Sequence, residues 1–141
     1  MKPVHHLLTA GFFIAAVTVT LPAAAATDDL DLPKAPHEMT LVDWHSFSAT
    51  LVDALKSDND ALVQSAMRLT IQYDTKVDVR RAIPALMSVY RDHNNEAMRR
   101  LAVVTLGHTG SRFATEYLRL NLEFEKSPAV KNTIRGILVE A

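Results

Sequence analysis

The sequence predicts an all-α protein in which about three helical hairpins stack into a short α-solenoid. Apolar residues recur every three or four positions from residue 41 onward, and no segment alternates like a β-strand. One apolar pattern also returns along the chain, because Leu62, Met98 and Val130 open similar helices 36 and 32 residues apart. A repeat of that length indicates an array of helical hairpins, each of which buries its apolar face against its neighbours.

Capping residues and turns mark where the six predicted helices begin and end. Thr40 followed by Asp43 has the spacing of a capping box ahead of the first helix, and 58–60 is a turn that caps the second. Pro84 disfavours helical geometry at Ile83, so the third helix is expected to bend or to begin late. The later boundaries are predicted by the polar turn 92–95, the glycines Gly107 and Gly110, the cap Ser111, and Ser127 followed by Pro128.

Each helix is expected to turn one apolar face toward the core. In the first helix that face carries Leu41, Trp44, Ser48, Leu51, Val52 and Leu55. In the fifth helix Phe113, Tyr117, Leu120 and Phe124 cluster on one side, whereas Leu118 and Leu122 point nearly the opposite way. Either the preceding hairpin covers Leu118 and Leu122, or they form an exposed apolar patch that recruits a partner or a second copy.

Residues 1–26 have the composition of a cleavable signal peptide. Lys2 precedes a charge-free run over 7–21, and Pro22 and four alanines follow that run. Small residues suit a signal peptidase, so we place the cleavage after Ala26, with Ala25 as the alternative. An uncleaved anchor is disfavoured, since the run is shorter than the roughly 20 residues that span a bilayer. The sequence therefore predicts an exported protein, periplasmic or secreted, with no stable membrane insertion after cleavage.

The composition excludes several functional classes. The chain has no cysteine, which rules out disulfides, thiolate metal sites, a cysteine nucleophile and a lipoprotein anchor. Residues 27–40 form an acidic, proline-containing linker in which Asp28, Asp29 and Asp31 lie close together. After the linker the charges nearly balance, so we expect no nucleic-acid partner, because nucleic-acid binders carry a strong basic excess.

The middle hairpin carries the pattern of a repeat family. Its residues are Ala82-Ile83-Pro84-Ala85-Leu86, Arg91-Asp92, Ala97-Met98-Arg99, Ala102 and Leu106-Gly107. With a proline in the first helix, an acid at the turn, an apolar-Arg pair and Leu-Gly, this stretch resembles a HEAT repeat of the short type also found in phycobilisome lyase subunits. The outer hairpins depart from the pattern, with Leu62-Val63 in place of the apolar-Arg pair, and with Ile134 and Val139 in place of the alanine and the glycine.

The resemblance covers roughly residues 46–141 and implies a HEAT-like helical repeat domain over 41–141. It implies no particular function, because such repeats are general scaffolds. It also implies that Arg99 and Lys131 pair with a turn acid of a neighbouring hairpin, a role open to Asp58 or Asp92.

No residue pattern indicates catalysis, a metal or a cofactor. Four histidines follow the predicted cleavage site, and none has another histidine at helical spacing: His37, His45, His93 and His108. We interpret them as surface residues instead of metal ligands. The acids around Asp29 and Asp58 lack the glycine and the distant glutamate of a calcium loop. We therefore expect a protein that is not an enzyme.

The second helices of the hairpins supply the candidate binding surface. In HEAT-like stacks these helices line the concave side, and here their outward positions form an apolar strip edged with arginines. The candidate residues are Gln64, Met67, Arg68, Ile71, Arg100, Val103, Val104, Asn132, Arg135 and Val139. Such a strip suits an extended or helical peptide with hydrophobic anchors and some acid. Two alternatives stay open: neighbouring hairpins bury Met67, Ile71 and Val103, or the acidic linker at 28–31 folds back onto the arginines.

The sequence therefore favours a non-enzymatic protein-binding scaffold, adaptor or accessory subunit of the periplasm. Its partner is expected to be a protein or a peptide, and self-association stays open. The alternative readings are a small-ligand or regulatory sensor domain, and an accessory subunit of a lyase-like enzyme.

Overall fold

A computed structural model of the chain describes residues 34–140, and all regular structure in that part is helical. The all-α prediction is therefore confirmed for these residues, while the predicted signal peptide and the acids at 28–31 lie outside them. The six α-helices are α1 Leu41–Leu55, α2 Asp60–Gln72, α3 Ile83–Asp92, α4 Glu96–His108, α5 Arg112–Asn121 and α6 Pro128–Glu140. Short 3-10 turns precede α1 at Pro36–Glu38 and α3 at Arg80–Ala82.

Consecutive helices pack in pairs around α4. Helix α1 contacts α2, α3 contacts α4, and α5 contacts α6. Helix α4 also contacts α2 and α6, so it is the central element of the described part. The core between these helices is mostly apolar, and its fully buried larger apolar side chains are Leu55, Met67, Val79, Leu86, Val103, Leu106, Leu118, Val130 and Ile134; Thr70 and Thr105 are also fully buried.

Most helix boundaries follow from the capping residues that the sequence showed. In the capping box of α1, the Thr40 N–H donates to Asp43 Oδ2 at 2.8 Å, and the Asp43 N–H donates to Thr40 Oγ1 at 3.3 Å. Helix α3 begins at Ile83, which places Pro84 in the first turn, where no backbone donor is needed. The helix thus begins late, as one of the two expectations from Pro84 had it, although Ile83 itself is helical, with φ −51° and ψ −45°. Gly110 has a φ of 62° just after α4, as a C-terminal glycine should.

Two positions differ from the expected pattern for local reasons. Gly107 lies inside α4 and does not end it, because the helix runs on to His108. Leu41 was expected on the inward face of α1, but it is exposed in the first turn of that helix. The rest of that face is buried as predicted, with Trp44 packed against Phe47 and Tyr73 at ring-centroid distances of 5.9 and 5.4 Å.

The inward face of α5 is opposite to the predicted one. Leu118 is fully buried together with Ala114, so the first alternative for Leu118 is confirmed, and Leu122 is half-buried. The largest apolar side chains point away from the core, since Phe113 is 67%, Leu120 71% and Phe124 79% exposed. The prediction followed side-chain size, whereas the packing of α5 against α4 and α6 selects the side that carries Ala114 and Leu118.

Candidate functional site

The second helix of each pair contributes to one outward surface of the molecule. Helix α4 is in contact with α2 and with α6, so the three second helices lie side by side. Arg100 of α4 joins this surface to α6, since its Nε donates to Thr133 Oγ1 at 3.2 Å. At the other junction, Nδ1 of His108 lies 2.7 Å from Oδ2 of Asp74, which follows α2.

The structure places the ten predicted residues in three different environments. The exposed ones are Arg68, Arg100, Asn132, Arg135 and Val139, and the half-buried ones are Gln64, Ile71 and Val104. Met67 and Val103 are 0% exposed and belong to the core, so their assignment to a binding surface is wrong.

The burial of Met67 and Val103 has a geometric reason. Both residues occupy the same place in the repeated pattern, five positions after Leu62 and Met98, and each is on a helix that another second helix covers. Arg135 occupies that place in α6 but is exposed, because no described helix follows α6.

What remains of the predicted strip is a surface dominated by three arginines. We call it the arginine face and define it by its predicted residues that stay accessible: Gln64, Arg68, Ile71, Arg100, Val104, Asn132, Arg135 and Val139. Arg135 donates to Asn132 Oδ1 at 3.0 Å, and Arg100 donates to Thr133. Among residues 34–140, no carboxylate lies within 4.0 Å of Arg68, Arg100 or Arg135.

The helices that carry these arginines also have small exposed residues. Ala61, Ser65, Ala97 and Gly136 are all exposed on the second helices. Gly136 has no packing role, because a Cβ atom built on it would meet nothing within 4 Å. A mid-helix glycine costs about 1 kcal/mol relative to alanine. The low surface therefore lets another chain approach the backbone of α6 closely.

The carboxylates at the rim of this surface have partners within the chain. Glu96 accepts a hydrogen bond from Ser127 Oγ at 2.5 Å, and Asp60 lies 3.2 Å from Nε2 of His93. At the other end, the hydrogen bond from His108 holds the pKa of Asp74 below its usual value. The residues that define the arginine face include three arginines and no acid, so the face itself carries a net positive charge.

The histidines are only partly the surface residues that the sequence predicted. His37 is exposed, but His93 is largely buried, and its Nδ1 accepts a hydrogen bond from the Asn95 N–H at 3.0 Å. Within residues 34–140 there is no group of three or more side chains that could hold a metal ion. No helix in that part of the chain has the length and apolar character needed to cross a membrane.

Arg99 makes a different ion pair from the one that the resemblance implied. Its Nη2 lies 3.4 Å from Oε1 of Glu125, whereas Asp92 pairs with Arg91 at 2.7 Å. Glu125 lies in the turn between α5 and α6, and its nearly buried carboxylate also accepts from the Ser127 N–H. Burial and the nearby Glu125 raise the pKa of Tyr90 to about 12. These contacts connect the second and third hairpins and are structural.

A groove of about 680 Å³ on the first hairpin was not predicted. Residues of α1 and of 75–81 line it, with Trp44 on the α1 side and Lys76 and Arg81 among the basic side chains. Its one acid, Asp78, is paired with Arg80 at 2.6 Å, and that hydrogen bond holds the Asp78 pKa at about 2. The basic cluster was visible in the sequence, but its proximity to α1 depends on the tertiary fold.

No family model matches the sequence, and no curated protein or solved structure is significantly similar to it. Its surfaces are therefore interpreted from their own chemistry.

Proposed function

We propose that this chain is a non-enzymatic protein-binding module built as a short solenoid of three HEAT-like hairpins. The pairing of α1 with α2, α3 with α4 and α5 with α6 supports this arrangement. The contacts of α4 with α2 and α6 support stacking of the hairpins through their second helices. The equivalent burial of Met67 and Val103 is what a repeated stacking contact produces.

The partner is an acidic segment of another protein, bound on the arginine face. The carrying observation is that Arg68, Arg100 and Arg135 are exposed on three second helices that pack in a row, and that they meet no carboxylate within the described residues. Guanidinium groups bind carboxylates through two parallel hydrogen bonds, which gives such a surface a preference for Asp and Glu. Half-buried Ile71 and Val104 add apolar contact area beside the charges.

The module works outside the cytoplasm. This part of the proposal is supported by the basic start, the charge-free run over 7–21 and the alanines before Thr27. The partner is then another exported protein or the periplasmic part of a membrane protein.

The test compares two triple variants in a cross-linking pull-down from the native host. Arg68→Ala, Arg100→Ala and Arg135→Ala together remove the arginine face. The control removes three exposed cations elsewhere, by Lys56→Ala, Arg91→Ala and Lys126→Ala. We expect wild type and control to capture the same partner, and the face variant to lose it at an unchanged Tm. Capture should also weaken as salt is added, because exposed charges are screened.

Undiminished capture by the face variant contradicts the proposal. A third variant tests whether the acidic linker binds the arginine face of its own chain. In this variant the acids at 28–31 are changed to asparagine. If the linker occupies the arginine face, this variant captures more partner than wild type does.

The groove on the first hairpin supports a second candidate, a sensor of small anions. Lys76 and Arg81 border it without a carboxylate within 4.0 Å among residues 34–140. A panel of small carboxylates and phosphates, assayed by thermal shift, tests this role. A rise in Tm that Lys76→Ala with Arg81→Ala abolishes favours the sensor, and no rise with any compound excludes it.

A further inference from the structure

The groove on the first hairpin is bordered by α1 on one side and by the segment 75–81 on the other. Its volume of about 680 Å³ lies within the range of small-molecule sites, which is roughly 300–1,000 Å³. On α1 the lining residues run from Leu41 to Val52, which corresponds to roughly 16 Å of helix length. The groove is therefore long enough for an elongated ligand.

The α1 side of the groove is mostly apolar. Its apolar lining residues are Leu41, Trp44, Ala49 and Val52. Leu41 extends the row that is buried further along α1, at Trp44 and Val52, but Leu41 itself is 88% exposed. A ligand that lies along this side and covers Leu41 removes apolar surface from water, which favours a ligand with an apolar body.

The opposite side of the groove is basic. Its charged lining residues are Lys76, Asp78, Arg80 and Arg81. Asp78 is bonded to Arg80 through two hydrogen bonds of 3.0 and 2.6 Å. Lys76 and Arg81 are exposed, and neither has a carboxylate within 4.0 Å among residues 34–140. With three cations and one acid, this side attracts an anion.

Polar groups that join the two sides already have partners. Ser48 Oγ donates to the Trp44 carbonyl at 2.8 Å and accepts from the Asp78 N–H at 3.1 Å. The Arg80 N–H donates to Asp78 Oδ1 at 3.0 Å. A peptide in the groove would bring backbone N–H and C=O groups that need partners of their own. An alkyl or aryl chain needs none, so the ligand is better matched by a small molecule than by a peptide.

We propose that the groove binds a small carboxylic acid with an apolar chain, such as a medium-chain fatty acid or an aromatic acid. Lys76 and Arg81 bind its carboxylate, and the chain lies along α1 against Leu41 and Ala49. This inference deepens the second candidate function, the sensor of small anions, and rests on it. The groove shares no residue with the arginine face, so the two sites are tested separately.

Isothermal titration calorimetry on the protein purified from its host tests the proposal with acetate, butanoate, hexanoate and octanoate. We expect Kd to fall about two- to fourfold with each added methylene that the groove covers. Octanol has the same chain without the carboxylate, and we expect no saturable binding of it. Inorganic phosphate has the charge without the chain, and it should bind more weakly than octanoate does.

One pair of variants tests the basic side. Lys76→Ala with Arg81→Ala should abolish octanoate binding at an unchanged Tm, because both side chains are exposed. Lys56→Ala with Lys126→Ala is the matched control, since it removes two exposed cations that do not line the groove. The control should bind octanoate as wild type does.

A second pair tests the apolar side. Leu41→Ser should weaken octanoate binding about threefold or more and reduce the dependence of Kd on chain length. Val42→Ser is the matched control, because Val42 is an exposed neighbour on the same turn of α1 that does not line the groove. It should leave the whole series unchanged.

Four results would overturn the inference. Acetate or phosphate that binds as tightly as octanoate removes the apolar chain and leaves the sensor of small anions in place. If no anion binds, the inference and the second candidate function both fail, while partner capture by the arginine face is unaffected. Octanoate binding that survives Lys76→Ala with Arg81→Ala places the ligand elsewhere. Binding that appears only after the acids at 28–31 are changed to asparagine would identify the linker as the occupant.

Discussion

Gly107 lies directly against Ile137 where α4 packs on α6. A Cβ atom on Gly107 would be 2.6 Å from Cγ2 and 2.9 Å from Cδ1 of Ile137. The Ile137 side chain is branched at Cβ and stiff at χ1, so it cannot rotate away without cost. The glycine is therefore required by close helix packing.

We expect Gly107→Ala to destabilise the protein by up to about 2 kcal/mol, because overpacking outweighs the roughly 1 kcal/mol gain in helix propensity. Gly136→Ala is the matched control, since a Cβ there meets nothing within 4 Å. It should stabilise by about 0.5–1 kcal/mol. Urea unfolding measures both, and a Gly107→Ala protein as stable as Gly136→Ala would show that α4 and α6 do not approach so closely.

Adjacent residues Met67 and Arg68 separate core from surface on α2. Met67 is fully buried and Arg68 is exposed. Met67→Ala should cost about 2–5 kcal/mol, because it leaves a cavity between α2 and its neighbours. Arg68→Ala should change stability by less than about 0.5 kcal/mol. If thermal or urea unfolding shows similar losses for both, the burial of Met67 is incorrect.

The positions at which helices begin could be predicted from the sequence, but the side of each helix that faces the core could not. Thr40 with Asp43, Ser111 and Ser127 mark helix starts because a cap depends on residues that are close in sequence. The core side of α5 depends on where α4 and α6 lie, and the sequence pattern favoured the larger side chains on the wrong side.

Some features of the candidate site could likewise be predicted from the sequence, and others could not. Arg68, Arg100 and Arg135 were recognised as outward residues by their place on the second helices. The burial of Met67 and Val103 is only one of two open alternatives in the sequence, because the repeat pattern alone does not tell which side of a helix its neighbour covers. The groove beside Trp44 was missed altogether, since it joins α1 to a segment about 30 residues later.

Export gives a prediction about mass. If a signal peptidase cleaves after Ala26, the protein isolated from its host begins at Thr27. Intact-mass spectrometry of the soluble and membrane fractions measures this. A chain that retains Met1 in the membrane fraction would instead support an uncleaved anchor.

The capping box of α1 gives a prediction about pH. The Thr40 backbone N–H and hydroxyl and the Lys34 ammonium all bond to the Asp43 carboxylate, and together they hold its pKa at about 2. A carboxyl group with a lowered pKa in the folded state contributes stability above its unfolded pKa, and that contribution is lost as the pH falls through the folded value.

We therefore expect stability to decline between about pH 4 and pH 2, and Asp43→Asn to decline less steeply over that range. Asp53→Asn is the control on the same helix, because the exposed Asp53 accepts no side-chain hydrogen bond within residues 34–140. Urea unfolding at a series of pH values measures the slopes. If the free energy of unfolding falls with the same slope in wild type and in Asp43→Asn, the lowered pKa of Asp43 is contradicted.

Ser48 connects α1 to the segment ahead of α3 through one buried hydroxyl. Its Oγ donates to the Trp44 carbonyl at 2.8 Å and accepts from the Asp78 N–H at 3.1 Å. The second bond joins residues 30 positions apart, and it gives an acceptor to the Asp78 N–H, which precedes the 3-10 turn at Arg80–Ala82. A serine on an apolar helix face thus has a tertiary role.

Ser48→Ala should destabilise by about 1–3 kcal/mol, because the Asp78 N–H loses its partner in a half-buried position. Ser65→Ala is a close control, since Ser65 Oγ also donates to a carbonyl four residues earlier at 2.8 Å but is exposed. That change should lie within about 0.5 kcal/mol of wild type. If Ser48→Ala lowers the free energy of unfolding, amide hydrogen exchange shows whether the lost bond to Asp78 is the cause. The Asp78 amide should then exchange faster in Ser48→Ala than in Ser65→Ala. Unchanged protection at Asp78 would mean that the hydroxyl does not anchor this segment.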